Sequence, residues 1–256
     1  QLVSTNRVLG QSRPFVGEFG ISKNPESFAA ESYRVYFSDK VRGAIVRLSR
    51  DGLTPISDAG MKDWFKDNLK LSTKVVGSYD DKKDEYNVTI YKENDNANNT
   101  QEEEAFVGTL SFKESMKGCV SFKSFALENG VSCANDYYTL KKGRLWQHHS
   151  EEVDRNTFYD NFESSSVNVL LNDIPASIKS FHALSYEGSQ AKIAGYQTDV
   201  ATGITDYSYH NIIDKNGWFV NNIKTDQGQG SLNEFVQKER KWFNYIKGIK
   251  NIDGGD

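Results

Sequence analysis

Apolar and polar positions alternate along much of the chain with the two-residue period of half-buried strands, most clearly from Tyr33 to Ile56. There Tyr33-Arg34-Val35-Tyr36-Phe37 precedes a polar stretch from Ser38 to Gly43, and Ala44-Ile45-Val46-Arg47-Leu48 precedes a second turn at Ser49 to Gly52. Two β-rich runs joined by a polar loop containing glycine predict a hairpin, and Asp51-Gly52 adds a further tight turn. A related unit runs from Lys74 to Tyr91, with Val75–Tyr79 and Tyr86–Ile90 flanking the charged turn Asp80-Asp81-Lys82-Lys83-Asp84. A third spans Tyr137 to His149 around Lys141-Lys142-Gly143. The units recur at intervals of roughly 40 to 60 residues, close to the ~40–50-residue repeat of propeller blades.

Two stretches break the alternation with helical spacing. Between Asp58 and Leu71, the positions Met61, Trp64, Phe65 and Leu69 form one stripe, with Ser57 or Asp58 as the expected cap. Near the end, Ser231 and Glu234 have the spacing of a capping box, and Phe235, Trp242 and Ile246 share a predicted helical stripe that stops at Gly248. Glu93 to Glu104 has no apolar period and reads as an exposed loop. From Asn156 to about Asn222 the repeating unit is lost. Phe158, Tyr159, Phe162, Val167, Val169, Leu170, Leu171, Ile178 and Phe181 predict two or three strands around a turn at Asn172-Asp173-Ile174-Pro175. Further strands are expected at Ala183–Ile193, Tyr207–Ile213 and Trp218–Ile223.

The expected architecture is therefore all-β, with partial β-propeller-like hairpin repeats, a second β module and two short helices. The repeats occupy residues 1–150 with an inserted helix at 58–71, the second module 151–230, and the C-terminal helix and tail 231–256. Three blades cannot close a propeller, and unclosed sheets leave strand edges that invite pairing. Neighbouring chain, from the same or another polypeptide, is expected to complete them. An open sheet packed on the second module is the other arrangement the pattern allows.

Composition supports a folded β chain. Apolar residues are only 37 %, but aromatics reach 12 %, which suits half-buried strands and not a disordered chain. The 31 Lys and Arg are interleaved with 35 Asp and Glu for a net charge of −4, so no basic face recommends nucleic acid as a specific partner. No apolar run approaches the roughly 18 residues of a membrane span. The chain begins at Gln1 without a charged-then-apolar leader, and it is expected to be a piece of a longer polypeptide.

Candidate chemistry is sparse. Cys119 and Cys133 fit neither a disulfide framework nor a zinc pattern and are expected as reduced thiols in or near strands. The Asp80–Asp84 turn alternates carboxylates with lysines and lacks the oxygen ligands of a calcium loop. A glycosidase would need two facing carboxylates. Asp80, Asp81, Glu151, Glu152 and Asp154 cluster in predicted turns, where solvated faces are expected. His148 and His149, adjacent on a predicted strand, would point to opposite faces, one to solvent and one beside Trp146. His182 and His210 lie apart in sequence, so no Ser-His-Asp arrangement is indicated. Gly228-Gln229-Gly230 lacks the strand-then-helix setting of a phosphate loop. No catalytic residue, metal or cofactor is predicted.

Several stretches together resemble virion structural proteins of tailed bacteriophages, marine and crAss-like, among them muzzle- or nozzle-type tail proteins. They are NPESFAAESYRVYFSDKVRGAIVRLSRDGLTPIS from Asn24, GSYDDKKDEYNVTI from Gly77, GCVSFKSFALENGVSCANDYYTLKKGRLWQHHS from Gly118, RNTFYDNFESSSVNVLLNDIPASIKSFHALSYEGSQ from Arg155 and EFVQKERKWFNYIKG from Glu234. The resemblance covers nearly the whole chain. It implies a propeller-bearing, non-enzymatic subunit in a ring around the tail channel, assembled in the host cytoplasm, with other virion proteins and its own copies as partners. Candidate subunit contacts are Trp242, Phe243 and Tyr245. The other role carried forward is a carbohydrate- or receptor-binding tail module, in which exposed Tyr and Trp would stack on a host surface glycan.

Overall fold

The computed structural model describes residues 15–21, 23–94, 104–187, 218–232 and 235–249, together with the backbone of 197–198 and 205–206. Contacts divide the chain into two units, Gln1–Asn168 and Val169–Asp256.

Unit one holds three antiparallel sheets. The first has the order β1-β2-β3-β4, from Ala29–Ala30, Val35–Asp39, Ala44–Ser49 and Gly52–Pro55. The second contains β5 (Ser72–Asp80), β6 (Glu85–Glu93), β7 (Glu104–Lys113) and β8 (Gly118–Lys123), also paired in sequence order. The third is ordered β11-β10-β9, where β9 is Asn129–Cys133, β10 is Asp136–Lys141 and β11 is Arg144–Gln147. A short hairpin of β12 (Thr157–Phe158) and β13 (Asn161–Phe162) follows. All three sequence-predicted hairpins form, as β2–β3, β5–β6 and β10–β11.

The two-residue alternation explains how the sheets stack. On β5, β6 and β7 the residues Val75, Tyr79, Tyr86, Val88, Ile90, Leu110 and Phe112 share one face. They form a core with Tyr36 and Ile45 of the first sheet and with Phe65 and Leu69. The intervening Val76 and Tyr91 point the other way, joining Phe125, Leu127 and Tyr137 in a second core toward the third sheet. The β5–β8 sheet is thus a middle layer, buried on both sides. The first sheet's outer face is covered by Phe19 and Ile21 against Phe37 and Val46.

The layering fits the all-β expectation, while a propeller is not shown. The repeating hairpins belong to sheets of four, four and three strands, and these stack face to face through shared cores. Hairpins of similar sequence fit either arrangement, because period-two alternation states which face is buried but not against what.

The helix inside 58–71 is present as α1, Lys62–Lys70. It buries Phe65 and Leu69, one turn apart, with Met61 and Trp64 packed at the margin. Asp63 in the first turn and Lys70 in the last suit the helix dipole. The expected cap is corrected: Met61 holds that position without a side-chain bond, while Ser57 and Asp58 lie in a separate 3-10 turn, Ile56–Asp58. The last turn is closed instead by Ser72, whose Oγ donates to Leu69 O at 2.7 Å.

In unit two, β14 (Ala183–Glu187) is the first strand, and Gln197–Thr198 (β15) pairs with Thr205–Asp206 (β16). Among the described residues it also holds the strands β17 (Ile223–Lys224), β18 (Gln229–Ser231), β19 (Val236–Lys238), β20 (Lys241–Tyr245) and β21 (Lys247–Ile249). They form sheets ordered β14-β20-β19 and β17-β18-β21. Gly228 to Gly230 is strand and turn. Most of Ala183–Ile193 beyond Glu187, and all of Tyr207–Ile213, lie outside the described residues.

The predicted C-terminal helix is not formed; its residues are strands β19, β20 and β21. Glu239 (φ 50°) and Arg240 (φ 67°) form a two-residue turn of the left-handed kind that suits hairpins. The sequence Lys241-Trp-Phe-Asn-Tyr245 then pairs with Ala183–Glu187. Phe235 and Trp242 do meet in one core, as the helical stripe required, but across a hairpin. A seven-residue spacing fits two helical turns and also two antiparallel strands around a tight turn. A strand partner far away in sequence decided between them. Glu234, the other half of the supposed capping box, lies outside the described residues.

Candidate functional site

The middle sheet's second face is largely polar, yet Ser78, Asp80, Asn87, Thr89, Thr109 and Ser111 are all at most 1 % exposed. Burying so many polar groups requires internal partners. Ser78 Oγ meets Tyr137 Oη at 2.6 Å, Thr89 Oγ1 meets Thr109 Oγ1 at 2.7 Å, and Thr109 donates to Phe125 O at 2.6 Å. Ser111 donates to Asn87 Oδ1, and Lys123 Nζ bridges that oxygen (3.3 Å) to Glu85 (2.7 Å). On the opposite face, Glu114 accepts from Tyr36 Oη at 2.9 Å and from Arg47 at 2.8 Å.

The histidine pair differs from its sequence expectation. Strand β11 ends at Gln147, and His149 turns into the left-handed region at φ 61°. The two rings therefore do not point to opposite faces; their centroids are 6.2 Å apart and both lie against Tyr137. His148 packs among Phe125, Tyr137, Phe158 and Tyr159, and its Nε2 lies 2.7 Å from Thr139 Oγ1. Burial pushes its pKa down to about 4, aided by neighbouring His149 and against the pull of Asp80. His148 is thus neutral at pH 7, able to accept a hydrogen bond at Nε2.

Asp80 corrects the picture of a wholly solvated charged turn. Asp81 is exposed, but Asp80 is fully buried, 2.6 Å from His149 Nε2. It also accepts the backbone N–H groups of Lys82 and Lys83. Burial raises the Asp80 pKa, but the hydrogen bond and charge of His149, the Lys83 N–H and the Lys123 charge outweigh it, leaving the carboxyl below its ordinary range. The two-residue alternation of β5 continues from Val76 and Ser78 to Asp80 and places it on the inward face, while Asp81 lies beyond the strand's end.

Ser78, His149 and Asp80 share this layer without forming a relay. His149 Nε2 is turned to Asp80, while Ser78 is bonded to Tyr137 and is 1 % exposed. The arrangement ties the third sheet to the second. Glu151, Glu152 and Asp154 are exposed turn residues. Among the described residues no three His, Cys, Asp or Glu side chains are grouped to hold a metal. Cys119 is a free thiol in β8 beside the first core, its pKa raised to about 11 by burial, and Cys133 is free and exposed at the end of β9.

The surface is more informative than the interior. The stretch 163–182 has no strand or helix, and its apolar side chains face solvent: Leu170 is 89 % and Ile178 100 % exposed. Val167, Val169 and Leu171 follow at two-residue spacing, each more than half exposed. The turn expected at Asn172–Pro175 is present and tied by Lys179 Nζ, which donates to Asn172 Oδ1 and Ile174 O. Of the strands expected around it, the Phe158 and Phe162 part forms the short β12–β13 pair, and the part from Val167 to Phe181 is unpaired. This is strand-forming sequence without a sheet of its own.

The three candidate contacts separate in the same way. Trp242 is 4 % exposed and belongs to a core with Leu232 and Phe235, so it has no surface to offer. Phe243 is half-buried and Tyr245 is 68 % exposed, edge to face on the other side of the sheet with ring centroids 6.4 Å apart. Alternation along β20 makes this division, one the helical reading could not reveal.

Among the described residues no helix is long and apolar enough to cross a membrane. No curated protein matches the chain. Residues 153–248, a span that includes the exposed stretch and all but the end of the last hairpin series, match the family model described as the Crassvirus muzzle protein C-terminal domain. The match supports a crAss-like phage tail muzzle protein, a structural component of the virion tail.

Proposed function

We propose that this chain is a non-enzymatic subunit that joins copies of itself into a ring of the tail, through strand-forming surfaces left open in the single chain. The observation that carries this reading is the exposed stretch 163–182. Contiguous apolar surface of this kind marks a binding surface, and Val167, Val169 and Leu171 have the period of a strand awaiting a partner. Phe243 and Tyr245 add an aromatic pair on an open sheet face.

The glycan-binding alternative draws on Tyr33, 81 % exposed. It is the weaker reading because Tyr36, Tyr86 and Tyr137, which do lie in strands, are buried.

The test is light scattering and electron microscopy of the purified chain, beside a Leu170→Asp/Leu171→Asp variant. Rings or defined oligomers from the parent, lost in the variant with its melting temperature unchanged, are expected. A parent that stays monomeric at high concentration, and is retained on a glycan array, would replace this reading with the alternative.

A further inference from the structure

Three sheet ends converge in unit one. Strands β1, β5 and β9 are each the last strand of their sheet, and together they line a cleft of about 380 Å³. Among the described residues no strand is paired to the β5 edge in this cleft, and Ser132 of β9 bridges only its far end. Ser132 Oγ accepts from Asp81 N at 3.0 Å and donates to Tyr79 O at 2.8 Å, so these backbone groups point away from β6. Backbone direction alternates along an antiparallel strand, and Gly77 therefore presents its N–H and C=O to the same edge. Phe28 and Val131, 50 % and 59 % exposed, form apolar lips. The charged lining residues are Glu26, Asp81 and Glu128, with no Lys or Arg among them.

Unit two carries a feature of complementary kind. β19 is the open end of its sheet. The hairpin it makes with β20 is exposed from Val236 to Lys241. Its cations are Lys238 and Arg240, while Lys241 is already engaged by Glu187 at 2.9 Å. Glu239 is its one acid.

We propose that the acidic cleft of one copy receives the basic β19–β20 hairpin of a second copy, edge strand to edge strand. Backbone pairing supplies the hydrogen bonds, and Lys238 and Arg240 meet Glu26 and Asp81. The contact joins two different surfaces, so it propagates head to tail and closes as a ring where the rotation permits. The inference rests on the subunit reading above and adds to it which surfaces meet.

The charge pattern allows a reciprocal test. One variant reverses the cleft (Glu26→Lys/Asp81→Lys) and the other reverses the hairpin (Lys238→Glu/Arg240→Glu), all four positions being exposed. Each variant alone should self-associate at least about tenfold more weakly than the parent, since like charges then face each other. Mixed in equal amounts the two should recover assembly, because every contact in an alternating ring is again of opposite sign. Added salt should weaken the parent's association. Parent-like assembly by either variant alone, or a mixture that stays dispersed, overturns this pairing and leaves the broader subunit reading standing. A parent that never associates overturns both. Matching melting temperatures for the parent and variants exclude misfolding as the cause.

Discussion

His149 Nε2 and Asp80 Oδ2 lie 2.6 Å apart across 69 residues of sequence, joining the end of the third sheet to the hairpin of the second. Asp80 is wholly buried and also holds two backbone N–H groups of its own turn. Removing the carboxylate takes the shared acceptor from His149 and from both backbone N–H groups. Asp80→Ala should therefore destabilise unit one by about 3–5 kcal/mol, whereas Asp81→Ala, at an exposed position, should change it by less than about 0.5 kcal/mol. Urea unfolding followed by tryptophan fluorescence measures both, and equal midpoints for the two variants would contradict the assignment.

Acid sensitivity should come in two stages. His148 has a folded pKa lowered from 6.5 to about 4, so the unfolded chain binds a proton there before the folded one does. Its contribution is fully present above pH 6.5 and is lost as pH falls from there to about 4, on the order of 3 kcal/mol in all. Asp80, shifted below its ordinary 3.8, contributes above that value and loses its contribution below it. In His148→Gln, melting temperature should be flatter between pH 6.5 and 4 than in the parent, with the drop at lower pH retained. An unchanged slope in the variant would place the titration elsewhere.

The local pattern made the strands of unit one readable. In β2–β3 and β5–β6 the residues that alternate in sequence are those that alternate between cores, and Gly43 closes its turn at a positive φ of 68°. The helix was legible for the same reason, since Phe65 and Leu69 sit one turn apart on the buried side. What failed depended on partners distant in the chain. Phe235 and Trp242 could have shared a helix until β14, more than 50 residues upstream of Trp242, supplied a strand to pair with β20. The histidine pair departs from strand periodicity because β11 ends at Gln147 and His149 has left-handed backbone. The exposed stretch 163–182 was legible as strand sequence; its lack of a sheet was not, because pairing belongs to whole surfaces.

Close layer packing gives a further prediction. A Cβ on Gly77 would lie 1.9 Å from Ser27 O and 2.8 Å from Tyr86 Oη. Ser27 O already accepts the Tyr86 hydroxyl at 2.7 Å, so the obstruction is backbone fixed on both sides. Gly77→Ala must push the Pro25–Ser27 turn off the middle sheet, at a cost of about 1–3 kcal/mol. Gly52→Ala provides the contrast, with nothing within 4 Å of its added carbon but a φ of 98° to strain. Hydrogen exchange should show loosening around residues 24–38 in the first variant, and in the second only near the β3–β4 turn.

The last β hairpin distinguishes core from surface by single positions. Trp242 packs against Leu232 and Phe235 and lies nearly parallel to Tyr186 at 6.4 Å, whereas Tyr245 is 68 % exposed on the opposite face. Trp242→Ala should destabilise unit two by about 3–5 kcal/mol, as expected for a large aromatic lost from a core. Tyr245→Ala should leave its stability within about 0.5 kcal/mol but weaken self-association if the open sheet face is used between copies. Thermal unfolding and sedimentation of the two variants separate these effects. A Trp242→Ala protein that melts like the parent would mean that this residue is not the centre of the unit-two core, and the strand pairing of Lys241–Tyr245 with Ala183–Glu187 would have to be abandoned with it.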